Sequence, residues 1–96
     1  MKKTKIEKKL DRIEKIVEQA FEECDCENVV FSYSTMVLGS EPAIVMDAVA
    51  NNIHVEVVIS RKWNGHVAVQ FKKNKAIVVP IMNLIDAIQI KKDQKK

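Results

Sequence analysis

Two stretches on either side of Asn51-Asn52 share one alternating pattern of apolar and polar positions. Folding 43–50 back on 53–60 about a two-residue turn sets Ala50 against Ile53, Ala48 against Val55, Met46 against Val57 and Ile44 against Ile59. These eight residues are apolar and fall on one face, because side chains alternate along a strand. The opposite face carries Val49 against His54, Asp47 against Glu56, Val45 against Val58 and Ala43 against Ser60. Asn tolerates the positive φ of a tight hairpin turn, so the turn chemistry agrees with the register. A competing signal lies just upstream. Ser40 followed by Glu41-Pro42 also suits a helix start, which leaves a short buried helix over 43–51 as the alternative. The cross-strand register favours the hairpin.

The period changes elsewhere. Over 4–24, Ile6, Leu10, Ile13, Val17, Ala20 and Cys24 recur at helical spacing, and Ile16 and Phe21 widen the stripe. Thr4 with Glu7 fits a capping box. The same spacing would serve a three-heptad coiled coil, but packing on a sheet is the expected use. A strand is expected over 27–38, broken by Gly39-Ser40-Glu41-Pro42. Further strands are expected over 66–72, with Val67, Val69 and Phe71 on the apolar face, and over 76–79, separated by a turn at Lys73-Asn74. Pro80 ends the last strand, and Ile81, Leu84, Ile85 and Ile88 mark a closing helix to about Ile90. The expected fold is therefore α+β, in the order α-β-β-β-β-β-α. A five-stranded antiparallel meander sheet is flanked by an N-terminal and a C-terminal helix.

Ninety-six residues make one domain with a modest core, and the basic tails 1–3 and 92–96 are expected to fray. No apolar run approaches the ~20 residues that span a bilayer. The basic opening residues lack a following apolar stretch, which argues against a signal peptide and for a cytoplasmic protein. The net charge of +3 conceals a block pattern. Residues 1–15 hold seven Lys/Arg and three acids, 16–60 hold eight acids and no Lys or Arg, and 61–96 hold nine Lys/Arg and two acids. Basic ends around an acidic middle suit either solvated tails or self-complementary association. They do not suit a single cationic face spread over the whole domain.

Candidate chemistry is sparse. Asp47 beside Glu56 is a like-charge pair that a sheet either splays into solvent or uses to hold a divalent cation through oxygen ligands. Continuing the hairpin register sets Glu56 beside Gln70 and His54 beside Lys72. Cys24 and Cys26 are too close in sequence for an ordinary structural disulfide. They lie at a helix C-terminus among acids, where a thiolate is disfavoured. Arg61, Lys62 and Trp63, with Lys72 and Lys75, form the one cluster where an aromatic is interleaved with positive charge. It is a candidate nucleic-acid-binding edge. There is no phosphate loop and no nucleophile elbow.

The run Ser40-Glu41-Pro42-Ala43-Ile44-Val45, a turn, and Ile53-His54-Val55-Glu56-Val57-Val58 resembles the hairpin of PD-(D/E)xK nucleases, which include archaeal Holliday-junction resolvases. That resemblance implies Mg²⁺ held by two acids and a Lys that orients the attacking water. Ala43 stands where the first acid would be and Val58 where the Lys would be, so Glu56 alone matches. A shifted version uses Asp47, Glu56 and Lys72. With two signature residues replaced, the resemblance implies at most a degenerate relative.

One sheet face is wholly apolar, and on the other Val45, Val58, Ala68 and Val79 are expected to line up across four strands. A row of that kind needs a cover, either the closing helix or a second subunit. The reading is a small non-catalytic binding protein acting as a homodimer through that row, with no cofactor and no membrane. The alternatives are a nuclease-like protein acting on nucleic acid and a basic-edge DNA- or RNA-binding accessory protein.

Overall fold

The computed structural model describes residues 4–93 and has the expected α+β architecture. An N-terminal helix α1 (Lys5–Glu23) is followed by strands β1 (Val30–Leu38), β2 (Glu41–Ala50), β3 (Ile53–Ile59), β4 (His66–Phe71) and β5 (Ile77–Pro80). A single 3-10 turn, Ile81–Asn83, leads into helix α2 (Leu84–Asp93). The five strands form one antiparallel sheet in the order β1-β2-β3-β4-β5.

Helix α1 begins where its sequence says it should. The Thr4 hydroxyl accepts from the Glu7 backbone N–H, and the Glu7 carboxylate accepts from the Thr4 N–H, each at 3.1 Å. The helix ends at Cys24, and the connection to β1 takes Asp25 and Asn28 through positive φ, of 56° and 58°. Asp and Asn tolerate that conformation. This turn uses residues 24–29, so β1 starts three residues later than the sequence pattern suggests.

The hairpin has the expected register, from Ile44↔Ile59 through Asp47↔Glu56 to Ala50↔Ile53. Its turn places Asn51 at φ 51° and Asn52 at φ 67°, both left-handed, as a twist-matched two-residue turn requires. Residues 41–50 are strand throughout, which excludes the helical alternative. Pro42 is accommodated because β3 ends at Ile59, opposite Ile44. At Pro42 the strand pairs with β1 alone, and the side that would need its N–H is open.

Both helices lie on the same face of the sheet, α1 over β2 and β3 and α2 over β3, β4 and β5, and they touch each other. Between helices and sheet, Ile13, Val17, Ala20 and Phe21 of α1 and Leu84, Ala87 and Ile88 of α2 meet Met46, Ala48, Val55, Val57, Val67 and Val69. Burial in β3 alternates residue by residue, as a one-sided sheet demands. Two lysines tie the helices down. Lys9 Nζ donates to the Arg61 carbonyl at 3.0 Å, and Lys92 Nζ donates to the Cys24 carbonyl at 2.6 Å. Lys92 and Asp93 thus belong to α2 rather than to a frayed tail, and 1–3 and 94–96 lie outside the described residues. Among the described residues, no helix is long and apolar enough to cross a membrane.

Two parts of the expected register are corrected. Strand β4 pairs with β3 two residues away from the simple continuation, with His54↔Gln70 and Glu56↔Ala68. The shift comes from the six residues between β3 and β4, which fold as a loop with the Trp63 N–H donating to the Ser60 carbonyl at 3.2 Å. Strand β5 is out of phase by one residue, with Val67↔Val79 and Ala68↔Val78. Val79 and Ile77 therefore point to the helical side and pack on the core, and Val78 takes the outer face. The four-strand row Val45–Val58–Ala68–Val79 does not form. Val45 pairs with Val58, and Ala68 lies between Glu56 and Val78.

The Asn51-Asn52 turn generates a prediction. Asn52→Gly should be neutral or slightly stabilising, because Gly reaches positive φ without steric cost. Asn52→Val should cost about 1–2 kcal/mol, since a β-branched residue is strained there. Urea denaturation of both variants measures the difference.

Candidate functional site

With both helices on one side, the outer face of the sheet is uncovered, and its polar residues gather at the centre. Asp47 on β2 and Glu56 on β3 are directly opposed. His54, two residues before Glu56, points to the same face and lies diagonally across from Asp47. His54 Nε2 approaches Asp47 Oδ1 to 2.6 Å, with the two side chains 35% and 26% exposed. One ligand atom each from Asp47, His54 and Glu56 can be chosen so that all lie within 4.8 Å of one another. Among the described residues no other group of three His, Cys, Asp or Glu side chains converges in this way. The neighbouring strand keeps the surroundings small. A shallow cavity of about 80 Å³ adjoins the cluster, lined by His54, Glu56, Ala68, Gln70 and Ala76.

The electrostatics follow from the crowding. Partial burial pushes the Glu56 carboxyl above its ordinary value, the hydrogen bond and charge of Asp47 push it further, and His54 works the other way. Two carboxylates at van der Waals range resist joint ionisation unless a proton or a cation lies between them.

Direct opposition in the hairpin register brings Asp47 and Glu56 together, whereas the His54 contact is diagonal and does not follow from that pairing alone. The signal was present in the spacing. A His two residues before Glu56 on one strand must share its face, and the hairpin register already fixed where Asp47 stands.

The remaining candidate residues are dispersed. Lys72 sits in the turn after β4 at φ 50°, its N–H donating to the Asn52 carbonyl, with its ammonium over the Phe71 ring. It therefore lies past the end of β4, off the Asp47–Glu56 pair, and Gln70 rather than Lys72 is opposite His54. Lys75 belongs to the same turn, where its carbonyl accepts from Lys91 Nζ at 2.8 Å. Arg61 and Lys62 lie in the loop at the other end of β4. Six strand residues separate the two basic groups, roughly 20 Å at the rise of a strand. Trp63 lies half-buried over the core edge, its indole N–H donating to the His66 carbonyl at 3.0 Å. The five residues of the proposed cationic edge are thus split between opposite ends of the sheet, and their aromatic is turned inward.

Cys24 and Cys26 are both buried. Burial raises the Cys24 pKa, with Cys26, Glu23 and Asp25 adding to the effect and Lys92 opposing it. Its sulfur also donates to the Ile85 carbonyl at 3.4 Å, so the thiol fastens α1 to α2 and is not poised to react.

In comparisons with known proteins, no family model, curated protein or solved structure matches this chain.

A pH prediction comes from Glu56. Its folded-state pKa lies above the ordinary value of 4.5, so the protonated form is favoured by folding. The associated stability is complete below that value and is lost as pH rises through the folded-state pKa. Glu56→Gln mimics the protonated form and should be more stable than the parent protein at pH 7 in EDTA. The gap should close as pH falls below 4.5. Thermal melts across that range measure it.

Proposed function

We propose that this chain is a non-catalytic binding module that works as a homodimer, joined along the exposed edge of β1. The observation that carries the reading is the contrast between the two sheet edges. Strand β5 has four residues and ends in Pro80, a short and proline-blunted edge. Strand β1 has nine residues, none of them charged and none Pro or Gly, and eight of the nine are exposed. Val30 and Val37 are 65% and 67% exposed. A long, uncharged edge of this kind is a template for another strand.

A second copy is the occupant that fits. Antiparallel pairing about a two-fold axis through Ser34 sets Val30 against Leu38 of the other copy, Phe31 against Val37, Ser32 against Met36 and Tyr33 against Thr35. Apolar residues meet apolar ones toward both ends, and no charges oppose within the strands. The symmetry closes on itself, so the product is a dimer with a ten-stranded sheet rather than a fibre.

Two further observations support this reading. The basic residues are split between the ends of the sheet, which disfavours a continuous nucleic-acid track. The Cys24 thiol is held protonated by burial, which suits a structural role in a reducing compartment.

Sedimentation at about 100 μM should show a dimer of micromolar Kd. Val37→Lys changes an exposed side chain, so it should leave monomer stability within about 0.5 kcal/mol and abolish the dimer. Hydrogen exchange should show β1 amides protected in the parent and fast in the variant. A parent protein that stays monomeric, or a Val37→Lys protein that still dimerises, refutes pairing through this edge.

A further inference from the structure

The geometry points to a divalent transition-metal site at Asp47, His54 and Glu56, on the outer face of the β2–β3 hairpin. The donors are two carboxylate oxygens and one imidazole nitrogen, a set suited to Zn²⁺ or Mn²⁺. An all-oxygen ion such as Mg²⁺ gains little from the imidazole.

Three features carry the inference. First, the spacing is close to what one ion needs. Donors bound at about 2.0–2.2 Å stand roughly 3–4 Å apart, and the three donor atoms already fall within 4.8 Å of one another. The 2.6 Å His54–Asp47 contact needs to open only slightly. Second, the donors stand on paired strands, not on loops. Asp47 and Glu56 are opposed within a seven-pair register pinned by the Asn51-Asn52 turn, so little backbone order remains to be gained on binding. Third, there is room for the rest of a coordination sphere. Ala68 stands across from Glu56, and the cavity beside the cluster accommodates water or a small anionic ligand.

Asp47 and Glu56 in direct opposition cost the sheet energy without a counter-charge. A bound dication reverses that sign, and it fastens β2 to β3 from the face that no helix covers. The site lies on the second and third strands of the sheet and uses no residue of β1, so it does not depend on how the outer edge of β1 is paired.

The experiment uses EDTA-treated, dialysed protein titrated with ZnCl₂ and with MnCl₂ by calorimetry. One Zn²⁺ should bind per chain, more tightly than Mn²⁺, with a rise in Tm that EDTA reverses. His54→Gln and Asp47→Asn should each weaken Zn²⁺ binding by at least about tenfold, while His66→Gln should leave it unchanged. Val37→Lys should retain the site, so failure of the dimer and failure of the metal site are read separately. In the NMR spectrum of the parent protein, Mn²⁺ should broaden amides of residues 46–48, 54–56 and 68–70 first, a readout that stands even if a variant fails to fold. Absence of Zn²⁺ binding overturns the inference. Parent-like affinity in a folded His54→Gln protein, or broadening centred away from the hairpin, overturns it equally.

Discussion

Everything in this domain depends on the pairing of β2 with β3. The two-residue turn at Asn51-Asn52 fixes that pairing, and alternation does the rest. Once Ala50 meets Ile53, every second residue from Met46 to Ala50 and from Ile53 to Ile59 must face the helices. A one-residue slip would turn one of the two strands over, burying either Asp47 or His54 and Glu56 and exposing the apolar set of that strand. Either outcome would strand charge in an apolar layer at a cost of several kcal/mol, so the sequence specifies one register strongly. Residues with left-handed φ at both turn positions match the twist of the strands and leave no competing loop length.

That constraint also makes the sheet one-sided. Both helices are needed to cover the inner face, α1 toward β2 and β3 and α2 toward β4 and β5. Neither is left for the outer face. Its middle carries Asp47, His54, Glu56 and Gln70 beside the Val45–Val58 pair, and its most exposed apolar residues, Val30 and Val78, each about two-thirds exposed, lie on the edge strands. The same one-sidedness leaves β1 projecting beyond the helices. Its tie to α1 is the Tyr33 hydroxyl donating to the Glu14 carboxylate. Burial and that carboxylate together raise the Tyr33 pKa to about 12, so the tie persists through the physiological range.

The sequence is most legible where structure is set by adjacent residues. The capping box at Thr4 and Glu7, the alternation in β3 and the hairpin register all rest on contacts within a few residues or across a two-residue turn. Legibility fails where a loop of undetermined length intervenes. The six residues between β3 and β4 allow two registers that keep the same face, and Trp63 settles the matter by folding inward, which no local rule states. Five residues between β4 and β5 allow either phase, so Val78 and Val79 exchange faces. Helix placement is a third kind of gap. The stripe on α1 says that it packs on a sheet but not on which side, and only the handedness and length of its connection to β1 place it beside α2. His54 was hidden for a different reason, since its contact is diagonal.

The polar cluster and the exposed edge are answers to the same problem. A five-stranded sheet with a single helical layer has one face and two edges to protect, and the described residues hold no further element that covers them. The face is kept wet by placing charge at its centre, where an opposing carboxylate pair penalises any apolar partner that would dehydrate it. The β5 edge is closed by Pro80 and by the turn into α2. No such device exists on β1, which lacks a lysine, a proline or a bulge along its nine residues. Natural sheets seldom leave an edge of that length undefended unless it is used. The defended face and the undefended edge together confine association to one direction, in the plane of the sheet. In the proposed dimer the Asp47–His54–Glu56 cluster faces solvent.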